Sequence, residues 1–202
     1  MAWFSRLERS FAIVALLICV AAFTGCHSDD DTGSFPAANK ADCLPNLALL
    51  DQNSQSINLS SLKGQYVLIN FIYTGCSGTC PMLTSKMSMV EKKLTPELAK
   101  KVRLVTVTLD PEHDNPAQLL KYANEHGANG ADWIFLTGTP AQVDAYLATF
   151  LIKRTREPDG SIDHVTTSFL LGPDGRQIRQ YDGISVTPST LADDINRALA
   201  NG

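Results

Sequence analysis

The stretch YVLINFIY, residues 66 to 73, carries no charged side chain. A run this continuously apolar is expected of a central strand covered on both faces of a sheet. It leads directly into TGCSGTCP, where Cys76 and Cys80 are separated by three residues and Pro81 follows. Pro81 disfavours the α conformation for the residue before it and suits the first turn of a helix. Cys80 is therefore expected at the helix N-cap and Cys76 on the loop between strand and helix. Gly75 and Gly78 let that loop bend tightly. The helix N-terminus is expected to favour thiolate over thiol at Cys80.

The rest of the chain alternates strand and helix. INLSSLKG holds a short strand and a turn at Lys63-Gly64. Leu83, Met87, Val90 and Leu94 recur at helical spacing after the cysteines. VRLVTVTLD reads as a second strand, parallel to the first because a helix connects them. Asn115-Pro116 opens a helix through His126. ADWIFLTG is a strand, and Thr139-Pro140 starts another helix. HVTTSFLL and RQIRQYDG form a hairpin around GPDG, and Thr187-Pro188 opens the last helix. The strands expected to share one sheet are Tyr66–Tyr73, Val102–Leu109, Trp133–Leu136, Val165–Leu171 and Gln177–Tyr181. The fold class is α/β, a central mixed sheet flanked by helices on both faces.

The N-terminus reads as an address. Arg6 and Arg9 precede the apolar stretch Phe11 to Phe23, the layout of a secretory signal. The stretch is shorter than the roughly 20 residues a membrane span wants. It ends in FTGC, which resembles a bacterial lipoprotein box with Cys26 as the lipidated residue, although Phe23 stands where leucine is usual. Plain cleavage and an uncleaved anchor are the alternatives. Each places the body of the protein in the cell envelope of a bacterium, facing the periplasm. Residues 1–25 are thus a signal peptide and 26–40 a polar tether containing Asp29, Asp30 and Asp31. Residues 41–202 are one domain. A net charge of −4 argues against a nucleic-acid surface.

Of five cysteines, Cys19 lies in the signal and Cys26 is the lipidation site. Three remain, too few and too odd for a disulfide scaffold. Cys76 and Cys80 can meet in a disulfide or around one metal ion; a mere loop clip is the bland alternative. Two soft thiolates suit Cu(I), zinc or an iron–sulfur cluster. The cluster takes four cysteines and structural zinc four Cys/His ligands. The histidines are His27 in the tether, His113, His126 near a helix end, and His164 at the mouth of a strand. Ligands collect at strand ends in α/β sheets, yet a lone histidine is more often a surface or core residue.

NFIYTGCSGTCP, VTLDPEHD, DWIFLTGTPAQV and DHVTTSFLLGPDG, in this order and spacing, resemble the Sco/SenC family over the whole domain from about Leu44. The resemblance implies a thioredoxin-like fold with an extra β-hairpin. It implies one copper per chain, as Cu(I) or Cu(II), held by Cys76, Cys80 and His164. It places Asp110 beside the site without ligating; His113 falls where members vary and reads as a solvated loop residue, with a spare ligand as the alternative. The implied role is assembly of the dinuclear copper-A centre of cytochrome c oxidase. The partners would be the oxidase subunit carrying that centre, with another periplasmic copper chaperone or a thiol reductase supplying the site.

Two departures stand out. Cys43 is extra; it reads as a small buried residue, with a resolving thiol for the Cys76/Cys80 pair as the alternative. No proline precedes the strand after His164, where ordinary thioredoxins carry a cis-proline. The competing function is a membrane-tethered thiol–disulfide oxidoreductase in which Cys76 and Cys80 are the catalytic redox pair, forming a disulfide in the oxidised apo protein. A thiol peroxidase using Thr74 and Cys76 is a third reading, which leaves Cys80 and His164 without a role.

Overall fold

The computed structural model describes residues 42–128 and 130–201. The signal segment, Cys26 and the tether lie outside them. No helix among the described residues is long and apolar enough to cross a membrane. In chain order the elements are β1 (Ala48–Asp51), β2 (Ser56–Asn58), a 3-10 turn (Leu59–Leu62), β3 (Tyr66–Ile72), α1 (Thr79–Glu91), α2 (Pro96–Ala99), β4 (Val102–Thr108), α3 (Pro116–Glu125), β5 (Trp133–Thr137), α4 (Pro140–Ala148), β6 (Thr155–Arg156), β7 (Ile162–Asp163), β8 (Thr167–Leu171), β9 (Gln177–Asp182) and α5 (Pro188–Asn201).

Seven strands form one mixed sheet in the order β2-β1-β5-β4-β3-β8-β9. As the apolar run demands, β3 is central and buried at every residue. It pairs parallel with β4, Tyr66 opposite Val102, and antiparallel with β8. The five expected strands all belong to this sheet, with ends that shift by a residue or two. The largest shift is at β8, which starts at Thr167 instead of Val165 because His164 and Val165 leave the ladder. A second, two-stranded sheet, β6 with β7, stands apart as an additional hairpin.

The period-two alternation of a strand explains the layers. From one face of β3 the Tyr66 hydroxyl donates to the Ala198 carbonyl of α5 at 2.9 Å. On that face the Thr84 hydroxyl of α1 meets the Tyr122 hydroxyl of α3 at 3.0 Å. From the other face Phe71 packs edge-on against Phe150, which packs in turn on Tyr146 of α4. Helices cover both faces, and the caps follow the sequence signals. Asn115 and Thr139 accept from the backbone of Gln118 and Gln142, each with proline at the first helical turn. The helix α1 stops at Glu91, so Leu94 lies beyond it and packs against the core from the following turn.

Candidate metal and redox site

The two cysteines emerge where β3 ends at the middle of the sheet. The loop that follows is tied down from the neighbouring strand. The Asp114 carboxylate, beyond β4, accepts from the Thr74 backbone N–H at 3.0 Å, the Thr74 hydroxyl at 2.5 Å and the Thr108 hydroxyl at 2.5 Å. The Cys76 N–H closes a turn onto the Tyr73 carbonyl at 3.2 Å. The N-cap of α1 is Gly78, not Cys80. Cys80 is the second residue of the helix. The first-turn N–H groups of a helix have no intrahelical partner, and Gly78 offers no side chain to take them. The Cys76 sulfur takes that role, accepting from the N–H groups of Gly78 and Cys80.

That arrangement reverses the expected ionisation. Burial pushes the Cys76 thiol up, but the Cys80 thiol, the N–H groups of Cys80 and Gly78, and the Tyr73 hydroxyl together outweigh it. The net result lies below the ordinary thiol value. Cys80 is pushed far above it, first by burial and then by the hydrogen bond it shares with Cys76. With 0% exposure, Cys80 is the proton donor of the pair, and Cys76 is the sulfur on which a thiolate is favoured. The helix N-terminus acts on the sulfur that caps it, while the sulfur inside the first turn pays the desolvation cost.

The hairpin β6–β7 stands across from this loop. The Ile162 N–H donates to the Tyr73 hydroxyl at 3.4 Å, so one phenol touches both the Cys76 sulfur and the hairpin. His164, just past β7, meets the Tyr73 ring edge-on with centroids 6.3 Å apart. Its Nδ1 lies 3.1 Å from the Val165 carbonyl, which can only accept, so Nδ1 donates, and in the neutral ring the lone pair is then on Nε2. Tyr73, Cys76, Gly78, Asp110, Ile162 and His164 line a single open cleft of about 540 Å³. Among the described residues no three His, Cys, Asp or Glu side chains converge as a ready-made ligand set. The cleft brings Cys76 and His164 to one place without closing them on a point.

Asp110 borders the same cleft. Its side chain, 9% exposed, accepts from Arg156 of β6 and lies 2.8 Å from Nδ1 of His113. His113 is exposed, as expected of a loop residue, but paired with Asp110 rather than simply solvated. His126 stacks on Tyr122 at 4.1 Å, away from the cleft. Cys43 is buried beside Gly175, its thiol pushed up to about 11, first by that burial. It does not line the cleft. The Thr74 hydroxyl is committed to Asp114, leaving nothing to support a Thr74–Cys76 peroxidase pair. Sequence reasoning overlooked Tyr73, Asp114, Arg154 and Arg156. Asp114 lay in plain view at the end of VTLDPEHD; the arginines carried no motif.

The family model for SCO1/SenC matches residues 36–200. The chain belongs to the SCO1/SenC family. It is 33% identical to the SCO1 protein homolog of Bacillus subtilis over 141 residues, 68% of this chain and 72% of that protein. The structure of BsSco, described as a member of the Sco family of cytochrome c oxidase assembly proteins with a disulfide switch, superimposes with a TM-score of 0.67. The two are 30% identical, covering 81% of this chain and 96% of that one. ScoI of Bradyrhizobium japonicum with copper bound aligns with a TM-score of 0.65 at 29% identity, covering 75% of this chain and 96% of that one. The fold of this Sco protein is accordingly the thioredoxin-like α/β fold, with its extra hairpin at β6–β7. The chain spans 65% of the length of a Stutzerimonas stutzeri relative and 61% of a mouse one.

Proposed function

We propose that this Sco domain binds one copper ion through Cys76, Cys80 and His164 and delivers it to the copper-A centre of cytochrome c oxidase. The observation that carries the reading is the shared cleft. Cys76, whose thiolate the helix start favours, and the His164 imidazole both line it, and the buried Cys80 thiol is hydrogen-bonded to Cys76. The donor set fits the cargo: sulfur suits Cu(I), and added nitrogen suits Cu(II). The proton between the two sulfurs sits where a cation is wanted. Loading exchanges the Cys80 proton for the ion, which removes the cost of a second buried thiolate. ScoI of Bradyrhizobium japonicum binds copper and BsSco belongs to a family of cytochrome c oxidase assembly proteins, in keeping with this reading. The anchor on Cys26 would hold the domain at the outer face of the cytoplasmic membrane, where it meets the oxidase subunit.

A second reading rests on the same pair. A lowered Cys76 thiol beside a buried, hydrogen-bonded Cys80 is the arrangement of an attacking and a resolving sulfur. Disulfide formation between them passes two electrons and two protons to a partner's disulfide, which is released as two thiols, and excludes copper by consuming both ligands. The two readings separate at His164. A reductase does not need the imidazole; a copper carrier does. The test compares copper content of the reduced full chain with that of His164→Ala, alongside oxidase activity in a complemented deletion strain. The expected result is a His164→Ala protein with a reducible Cys76–Cys80 pair, no retained Cu(II) and no oxidase. Full rescue at low external copper would favour the reductase.

A further inference from the structure

His164 hangs from the least secured element near the cleft. The strands β6 and β7 have two residues each, and so short a ladder is not stable by itself. Besides the buried Ile162 of β7, two arginines fasten it. Arg154 immediately precedes β6 and Arg156 ends it, two residues apart, so both leave the same face of the extended backbone. They reach the Leu109–Glu112 segment after β4, which offers Asp110 and Glu112, again two apart. Arg154 grips Glu112 with both arms of its guanidinium, at 2.8 and 3.0 Å. It also donates to Asp144 of α4 at 2.7 Å and to the Leu109 carbonyl at 3.2 Å. Arg156 donates to the Asp110 carboxylate and, at 3.2 Å, to the Gly160 carbonyl in the hairpin's own tip. One guanidinium thus joins the tip of the hairpin to the wall of the cleft.

We infer that Arg156 is a positioning residue for His164: through Asp110 and Gly160 it holds the hairpin so that the imidazole arrives over the sulfurs when copper binds. The inference rests on the three-ligand reading above. Cys76 and His164 line one cleft, with Cys80 buried beside Cys76, and among the described residues no three His, Cys, Asp or Glu side chains converge on a point. The hairpin must therefore complete the approach, and each degree of freedom left to it is entropy to be lost on binding. The guanidinium bond to Gly160 limits the tip, and Arg156 faces Ile162, two residues before His164, across the ladder. Ile162 in turn donates to the Tyr73 hydroxyl beside Cys76.

The experiment uses the reduced full chain and Cu(II) alone, titrated against a competing chelator, with electron paramagnetic resonance reading nitrogen coupling to the bound ion. Arg156→Ala should weaken Cu(II) binding by about 10- to 100-fold, the usual loss when a group that orients a metal ligand is removed. It should also broaden or abolish the nitrogen coupling. Asp110→Asn, which keeps the shape of the site, should shift both readouts in the same direction by less. On a His164→Ala background, titrated instead with Cu(I), which the two sulfurs still hold, Arg156→Ala should cause no further loss, because its effect passes through the imidazole. Wild-type affinity and nitrogen coupling in Arg156→Ala would overturn the inference. So would an equal additional loss on the His164→Ala background, which would make Arg156 a general electrostatic or folding residue. If His164→Ala alone binds Cu(II) like the wild type, the three-ligand reading fails instead, and the separate His164→Ala arm shows which of the two has failed.

Discussion

The two walls of the cleft are built by different means. The cysteine wall is backbone architecture. A buried central strand, a turn pinned by one carboxylate and a helix start set both sulfurs, and Cys80 has no exposure at all. The histidine wall is a side-chain construction. A two-residue ladder is held by ion pairs and one buried side chain, Ile162, and Val165, next to His164, is 63% exposed. Cooperative backbone hydrogen bonds resist displacement together, whereas partly exposed ion pairs each contribute little. The sulfurs are therefore presented ready-made and the imidazole is brought to them.

The largest effect should come from attacking the rigid wall's chemistry. Cys76→Ser with Cys80→Ser should abolish copper binding outright while the chain stays folded, read as metal content and circular dichroism. Retained full affinity would place the site elsewhere and dissolve the comparison. The two sulfurs should also differ from each other. Iodoacetamide at neutral pH should modify Cys76 well over tenfold faster than Cys80, mapped by mass spectrometry, because only Cys76 is both accessible and lowered. Equal rates would mean that the burial of Cys80 is not maintained in solution.

Loosening the pin should cost stability on the cysteine side. Asp114→Ala leaves the Thr74 N–H and two hydroxyls without their acceptor and should lower the unfolding free energy by about 2–4 kcal/mol, measured in urea. Burial holds the Asp114 carboxyl above its ordinary value despite these three donors. A loss below about 1 kcal/mol, the scale of one ordinary hydrogen bond, would show the loop to be held by something else. The smallest effect should be at the joint between the walls. Tyr73→Phe removes one hydrogen bond from the Cys76 sulfur, worth about 1 kcal/mol, and should slow alkylation of Cys76 only a few-fold. A larger change would mean that the hairpin, which also rests on this phenol, has shifted.

Much of the cysteine wall was readable from YVLINFIYTGCSGTCP, since an apolar run, two glycines and a proline specify a strand, a loop and a helix start locally. The reading erred by two residues at the cap. It assumed that the residue before proline takes the cap, whereas proline is tolerated throughout the first turn and Gly78 begins the helix. That slip moved the thiolate from Cys76 to Cys80. The histidine wall was less legible. His164 could be singled out only by its place before a strand and by the Sco/SenC resemblance. Nothing in KRTRE announced that Arg154 and Arg156 would bind the acidic residues of DPEHD, more than forty positions earlier in the chain.

The sequence by itself determined the order of elements, the central strand, the helix caps at Asn115 and Thr139, and the meeting of two sulfurs near a helix start. Each of these depends on residues within about one turn or one loop of each other, where steric preference and hydrogen-bond geometry act without help from the rest of the chain. Only the tertiary structure decided which sulfur is ionised and what carries the imidazole. Ionisation depends on how deeply each sulfur is packed and which N–H groups face it, and burial is a property of the assembled layers. The hold on the hairpin depends on charges brought together across β4, β6 and α4, and no local pattern records such a meeting.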